Sequence, residues 1–274
     1  RNDDFAYIFY DTLVDSDNDG ISDFNEDILG TDPANSSSVI ADNFVPTVDI
    51  MFLYTQRFLN DIGSASPETE INALVQLANE MYANSGAVVE FRAVHYEQTD
   101  YVIDSPDLAS TMVDLKAHTD ATLQTIPALR TATGADITVL IDGLYPANAS
   151  FCGRASLSGV IGGSSFKGEL FHSYLDDKER YTAMFMPGKS RASNITCRDT
   201  TFAHELGHNL GLAHSRRDSS SSFGAFAWSR GHGIDGSFVS IMANKKDFPG
   251  SSKLPLFSNP LITDCNGLPC GVSR

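Results

Sequence analysis

The first dense apolar run of the chain is Thr47-Val-Asp-Ile-Met-Phe-Leu-Tyr54, where hydrophobic side chains are consecutive and do not alternate with polar ones. Such a run suits a strand buried on both faces. Ser66, Pro67 and Glu68 then supply an N-cap, a first-turn proline and a first-turn acid. The helix they open carries Ile71, Leu74, Val75, Ala78, Met81 and Tyr82 along one face and ends near Gly86. Val88 to Tyr96 reads as a second strand, Leu108 to Ala117 as a helix, and Asp136 to Ile141 as a third strand. This strand–helix–strand order predicts a mainly parallel sheet backed by helices. An edge strand is placed near Ala155 to Val160. Beyond His214 the chain turns rich in Ser, Gly and Pro, which predicts a small irregular lobe.

A helical period also runs through Thr201 to Leu210. Ala203, Leu206 and Leu210 fall at i, i+3 and i+7 and form an apolar stripe. The other face carries His204 and His208, four residues apart and so stacked on one side of a helix. Glu205 lies about 100° further round, within reach of a water held beside the histidines. Gly211 can adopt positive φ, end the helix and turn the chain back to deliver His214. Three nitrogen ligands with a fourth position open describe a catalytic zinc site, with Glu205 as general base. A chance His-Glu-x-x-His on a structural helix is the competing reading; Gly211 and His214 at fixed offsets argue against it.

The extended pattern His204-Glu-x-x-His208-x-x-Gly211-x-x-His214 resembles the metzincin signature, whose second element is a methionine turn. Val239-Ser-Ile-Met242-Ala-Asn follows, its Met242 28 residues after His214. The resemblance implies that Met242 forms an apolar floor under the imidazoles without binding metal. Within the metzincins, Phe202-Ala-His-Glu-Leu-Gly-His-Asn, Ile241-Met-Ala and Leu256-Phe-Ser-Asn-Pro260 look most like bacterial reprolysin-like enzymes of the peptidyl-Asp metalloendopeptidase type. The fold implied is α+β. Its upper lobe is α/β-like, with a twisted, mainly parallel five-stranded sheet and the active-site helix; the C-terminal lobe is small. In metzincins the edge strand pairs with extended substrate. Two positions depart from related branches. Asn244 stands two residues after the methionine, where several carry tyrosine, and Ser215 follows the third histidine, where others carry Asp or Glu.

Composition narrows the picture. With 274 residues, 42% hydrophobic and 20% charged, the chain can bury a sizeable core as one domain or as two lobes around a cleft. A net charge of −16 argues against nucleic acid or anionic membrane as partners. No apolar run is long enough to span a bilayer, and the polar start at Arg1-Asn-Asp-Asp reads as a mature, processed form. Four cysteines suggest two disulfides in a secreted protein, Cys265–Cys270 clipping a short loop and Cys152–Cys197 tying the segment before the active-site helix to the sheet. Reduced thiols are the alternative. With no spare cysteine to block zinc, latency would reside in a removed propeptide. His95, His118, His172 and His232 lack ligand spacing, and Gly159-Val-Ile-Gly-Gly163 is no phosphate loop.

A second metal pattern opens the chain. Asp15-x-Asp17-x-Asp19-Gly-x5-Glu26 fits a calcium loop, with carboxylates from Asp15, Asp17, Asp19 and Glu26, the Ile21 carbonyl, and Asp23 acting through water. A solvated acidic loop is the alternative. One such loop suits a stabilising Ca2+ better than a sensor. The stretch and its flanking residues resemble EF-hand-like or thrombospondin type 3 repeats. Residues 1–45 thus read as a calcium-binding segment and linker, 46–214 as the upper lobe, and 215–274 as the lower lobe with the methionine turn.

These readings predict a secreted, monomeric zinc endopeptidase that acts on proteins or peptides. An inactive zinc- and calcium-binding adhesion module is the alternative. Lys245, Lys246 and Lys253 form a local basic cluster after the methionine turn that could favour acidic side chains, or be plain surface lysine.

Overall fold

The computed structural model describes residues 16–18, 32–38, 45–104, 108–144, 151–157, 160–161, 164–165, 180–189, 196–218, 224–225 and 229–272. A five-stranded sheet is built from β1 (Thr47–Thr55), β2 (Glu90–Thr99), β3 (Ile137–Leu144), β4 (Gly153–Ala155) and β7 (Arg180–Met186). Its strands lie in the order β2-β1-β3-β7-β4. All neighbours are parallel except β4, which runs antiparallel to β7. Between the strands lie α1 (Gln56–Ile62), α2 (Pro67–Asn84), α3 (Ala109–Ala117) and α4 (Ile126–Thr133).

Two hydrophobic layers cover the sheet, which explains the continuous apolar run in β1. Ile50 and Phe52 face one layer with Ile71, Val75 and Met81 of α2 and Phe202, Ala203 and Leu206 of α5 (Thr200–Asn209). Met51 and Leu53 face the other with Met112 and Leu115 of α3 and Ile126 of α4. Helix α2 follows its amphipathic pattern, but Ser66 does not cap it through its side chain; the hydroxyl bonds the Glu68 carboxylate instead. No helix among the described residues is long and apolar enough to cross a membrane.

The edge strand departs from the sequence expectation. It occupies Gly153–Ala155, while Val160–Ile161 (β5) pairs with Ser164–Ser165 (β6) in a separate ribbon. The register is set one residue before β4, where the Cys152 carbonyl accepts a hydrogen bond from Phe185 N at 2.9 Å. A short ribbon of β8 (Gly188–Lys189) and β9 (Thr196–Cys197) then leads into α5. After α5 come β10 (Gly233–Ile234), β11 (Phe238–Val239) and β12 (Ser252–Lys253), which form a small sheet. Ile241, Met242 and Phe257 pack into the same buried cluster as α2 and α5, so the C-terminal segment is sewn into the main core.

Candidate metal centre

Helix α5 buries Phe202, Ala203 and Leu206 and turns His204 and His208 toward a cleft. The helix ends where Gly211 adopts φ of +88°, a left-handed conformation costly for any residue with a side chain. Its N–H donates to the His208 carbonyl at 2.9 Å, and Leu212 N donates to the Gly207 carbonyl at 2.8 Å. The chain is thereby folded back under its own last turn. Ala213 is held by Ser229 and Gly231, and His214 enters the cleft beside the helical pair.

His214 Nε2 lies 3.1 Å from His204 Nε2 and 3.2 Å from His208 Nε2. The opposite nitrogens fix the tautomers. His204 Nδ1 donates to the Ile241 carbonyl at 2.8 Å, and His208 Nδ1 to the Leu212 carbonyl at 2.7 Å. His214 Nδ1 donates to the Asp218 carboxylate at 3.0 Å. Each Nε2 therefore carries a lone pair, and three lone pairs this close repel unless a cation lies between them. Nitrogens bound at 2.0–2.1 Å around a tetrahedral zinc lie about 3.3 Å apart, so the residues fit that ion. Burial pushes the imidazoles further toward neutrality: His204 well below the usual range, His208 to about 4, and His214 downward.

Glu205 is buried against β4, where a Cβ on Gly153 would lie 2.6 Å from Glu205 Oε1. Its Oε2 has no hydrogen-bond partner among the described residues. Burial pushes its carboxyl up to about 8. Met242 is buried under the same helix, its Sδ 2.5 Å from where a Cβ on Gly207 would be. Lys253 secures this turn by donating to the Ile241 carbonyl at 2.6 Å and the Ala243 carbonyl at 2.7 Å.

The cleft has a volume of about 710 Å³. The three lysines of the sequence cluster part company here. Lys246 lines the cleft, Lys253 lines it with its ammonium on the methionine-turn carbonyls, and Lys245 is exposed away from the lining. Arg154 and Arg198, which no sequence motif marks, also line it. Asp218 and Asn244 escape sequence reasoning as well, although an acid one helical turn beyond the third histidine is a signal that could have found the first of them. The cysteines pair as Cys152–Cys197 and Cys265–Cys270. His95 meets Glu97, His118 meets Tyr181, and His232 packs on Phe238, all away from the centre. Of the calcium pattern only Asp17 falls among the described residues; Asp15, Asp19, Ile21, Asp23 and Glu26 lie outside them, as does His172.

Residues 45–273 match the family described as metallo-peptidase family M12B, reprolysin-like. The chain is 31% identical over 238 residues to a peptidyl-Asp metalloendopeptidase of Pseudomonas aeruginosa, a match covering 82% of this chain and 37% of that protein. It therefore spans little more than a third of that relative's length. Among solved structures, one described as a chaperone–substrate complex has a similar fold, with a TM-score of 0.55 at 19% identity over 83% of this chain and 35% of that chain. With the family match extending over most of the sequence and the histidine cradle within it, this chain belongs to the reprolysin-like M12B metallopeptidases.

Proposed function

We propose that the chain is a secreted zinc-dependent endopeptidase that hydrolyses internal peptide bonds of proteins. The reading rests on one observation: three imidazole lone pairs converge beside a buried carboxylate oxygen that has no hydrogen-bond partner among the described residues. His204, His208 and His214 would hold the ion. Zinc, when bound, supplies Lewis-acid polarisation of the scissile carbonyl and an activated water. Glu205 takes the proton of the attacking water and passes it to the leaving amine. Burial raises its proton affinity and a cation in the cradle opposes that rise, so the carboxylate can gain and lose a proton near neutral pH.

Substrate lies extended along β4, the edge of the sheet, where its backbone adds a strand next to Glu205. Arg154, Arg198 and Lys246 give the cleft a basic lining in an acidic protein, which suits acidic side chains beside the scissile bond, in line with the name of the Pseudomonas relative. The two disulfides support an oxidising, extracellular setting. The N-terminal acidic pattern reads, from sequence alone, as a stabilising calcium site.

The test is Glu205→Gln. The variant should keep one zinc per chain by metal analysis and lose casein cleavage, and phenanthroline should abolish cleavage by the wild type. Cleavage at the wild-type rate by Glu205→Gln refutes the base assignment. A peptide library with no enrichment of Asp or Glu at the cut refutes the specificity.

A further inference from the structure

His204 and His208 are aimed by the helix that carries them, and each anchors its Nδ1 on a backbone carbonyl. His214 is held in another way. It sits on the loop beyond Gly211, and its Nδ1 donates to a side chain, the Asp218 carboxylate. That carboxylate is brought back by a turn in which Asp218 N donates to the Ser215 carbonyl at 3.1 Å. Its side chain is only 2% exposed. The same oxygen, Oδ2, accepts a second hydrogen bond from Asn244 Nδ2 at 2.6 Å. Asn244 Nδ2 also approaches His214 Nδ1 at 3.4 Å, two donors flanking one shared acceptor.

Asn244 is itself fixed by the methionine turn. Ala243 N donates to the Ser240 carbonyl at 3.0 Å, and the Asn244 carbonyl accepts from Asp247 N at 3.1 Å. A chain of contacts thus runs from the methionine turn through Asn244 and Asp218 to the third histidine. The side chain directly after His214 takes no part in it; Ser215 contributes only its carbonyl, to the turn that returns Asp218. Ser215 is buried, with a hydroxyl that has no partner among the described residues.

We infer that Asp218, held in place by Asn244, is the positioning residue for His214, and that Asn244 acts through this carboxylate and not on the substrate. The inference rests on the zinc reading above. Asp218 keeps the ring in its Nδ1–H tautomer with Nε2 aimed at the ion, and its charge makes that nitrogen a better donor to metal. Asn244 uses its amide to hold Asp218 against the loop's freedom to swing. The two positions at which this chain departs from related branches, Ser215 and Asn244, then have one explanation: the acid has moved to Asp218, and the residue after the methionine has become its anchor.

The experiment uses the zinc-loaded full chain. Zinc release to an excess of the chelating dye pyridylazoresorcinol gives the off-rate, competition gives the affinity, and the visible spectrum of the Co2+-substituted protein reports ligand geometry. Asp218→Ala should weaken zinc by about 10- to 100-fold and alter the Co2+ spectrum. Asp218→Asn, which keeps a neutral acceptor for Nδ1, should recover part of the loss. Asn244→Ala should weaken zinc less than Asp218→Ala, and the double variant should be no weaker than Asp218→Ala alone, because both act on one path. Unchanged release and spectrum in Asp218→Ala overturn the inference. Additive losses in the double variant, or an Asn244→Ala protein with lowered kcat and wild-type zinc release, overturn the role given to Asn244. Should Asp218→Ala fail to fold, Asp218→Asn and Asn244→Ala decide by the same measurements. A wild-type chain that retains no zinc refutes the zinc reading itself, which separates the two failures.

Discussion

Gly153→Ala perturbs the proposed base without touching a ligand or the motif that carries it. Built on the strand backbone, the new Cβ lies 2.6 Å from Glu205 Oε1, 2.7 Å from Cγ and 2.8 Å from Cδ. Ordinary carbon contacts begin near 3.5 Å, so something must yield by about 0.8 Å. The strand cannot back away easily. Cys152 is disulfide-bonded to Cys197 and its carbonyl accepts from Phe185 N, while Gly153 itself pairs with Met184 of β7. The clash involves Cγ as well as the carboxylate, so the whole arm of Glu205 is displaced. A misplacement near 1 Å costs catalysis on the order of 100-fold, equivalent to about 2.7 kcal/mol of transition-state stabilisation. The fold should survive, because Gly→Ala in a strand lowers the entropy of the unfolded chain by about 0.4–1 kcal/mol. A quenched fluorescent peptide gives kcat and KM, and metal analysis gives zinc content. The expected result is kcat down about 100-fold with zinc retained. In a Glu205→Ala background, which lacks the Cγ, Cδ and Oε1 that the new methyl meets, the same change should cost the residual rate less than about tenfold. Wild-type kcat in Gly153→Ala with full zinc refutes the reasoning.

Gly211→Ala places a side chain at φ of +88° and should cost about 1–3 kcal/mol in chemical denaturation while speeding zinc release through His214. An unchanged denaturation midpoint contradicts the role given to this turn. Replacing Cys152 and Cys197 together by Ser opens a link across 45 positions, for which the chain-entropy argument gives about 4 kcal/mol; urea unfolding measures it, and a loss well under 1 kcal/mol counts against it. Lys253→Met removes the ammonium that donates to the methionine-turn carbonyls of Ile241 and Ala243, the first of which also anchors His204 Nδ1, and should loosen zinc retention. It should also change the pH dependence of stability. Burial holds the Lys253 ammonium down to about 8 against 10.5 in the unfolded chain, so between those values the unfolded state binds more protons and stability rises with pH. That rise should shrink in Lys253→Met; an identical pH profile in the two proteins refutes the burial argument.

What the sequence made legible follows from how far apart the interacting residues lie along it. Helix geometry converts the spacing of His204 and His208 directly into a shared face, and a left-handed glycine brings His214 back within six residues of His208. Strand β1 was equally plain, because burial on both faces leaves a continuous apolar run. Strand β7 was not. Its core positions include Arg180 and Thr182, and Thr182 is tolerated there because its hydroxyl donates to Asn209 of α5 at 2.7 Å, a partner 27 residues on. Asn209 in turn donates to the Ser156 and Tyr181 carbonyls, so the end of the edge strand is pinned to the active-site helix by an amide that no periodicity marks. Gly153 and Glu205 meet across 52 positions, and Asp218 and Asn244 across 26. The groups that could bind a metal are therefore written locally, while the groups that aim them are written in long-range pairs. Each of those pairs joins α5 or the loop after it to another segment, either the β7–β4 side of the sheet or the methionine turn. Substitutions in them should alter rate or metal retention while leaving the His-Glu-x-x-His signature intact, a class of loss that inspection of the signature alone would never anticipate.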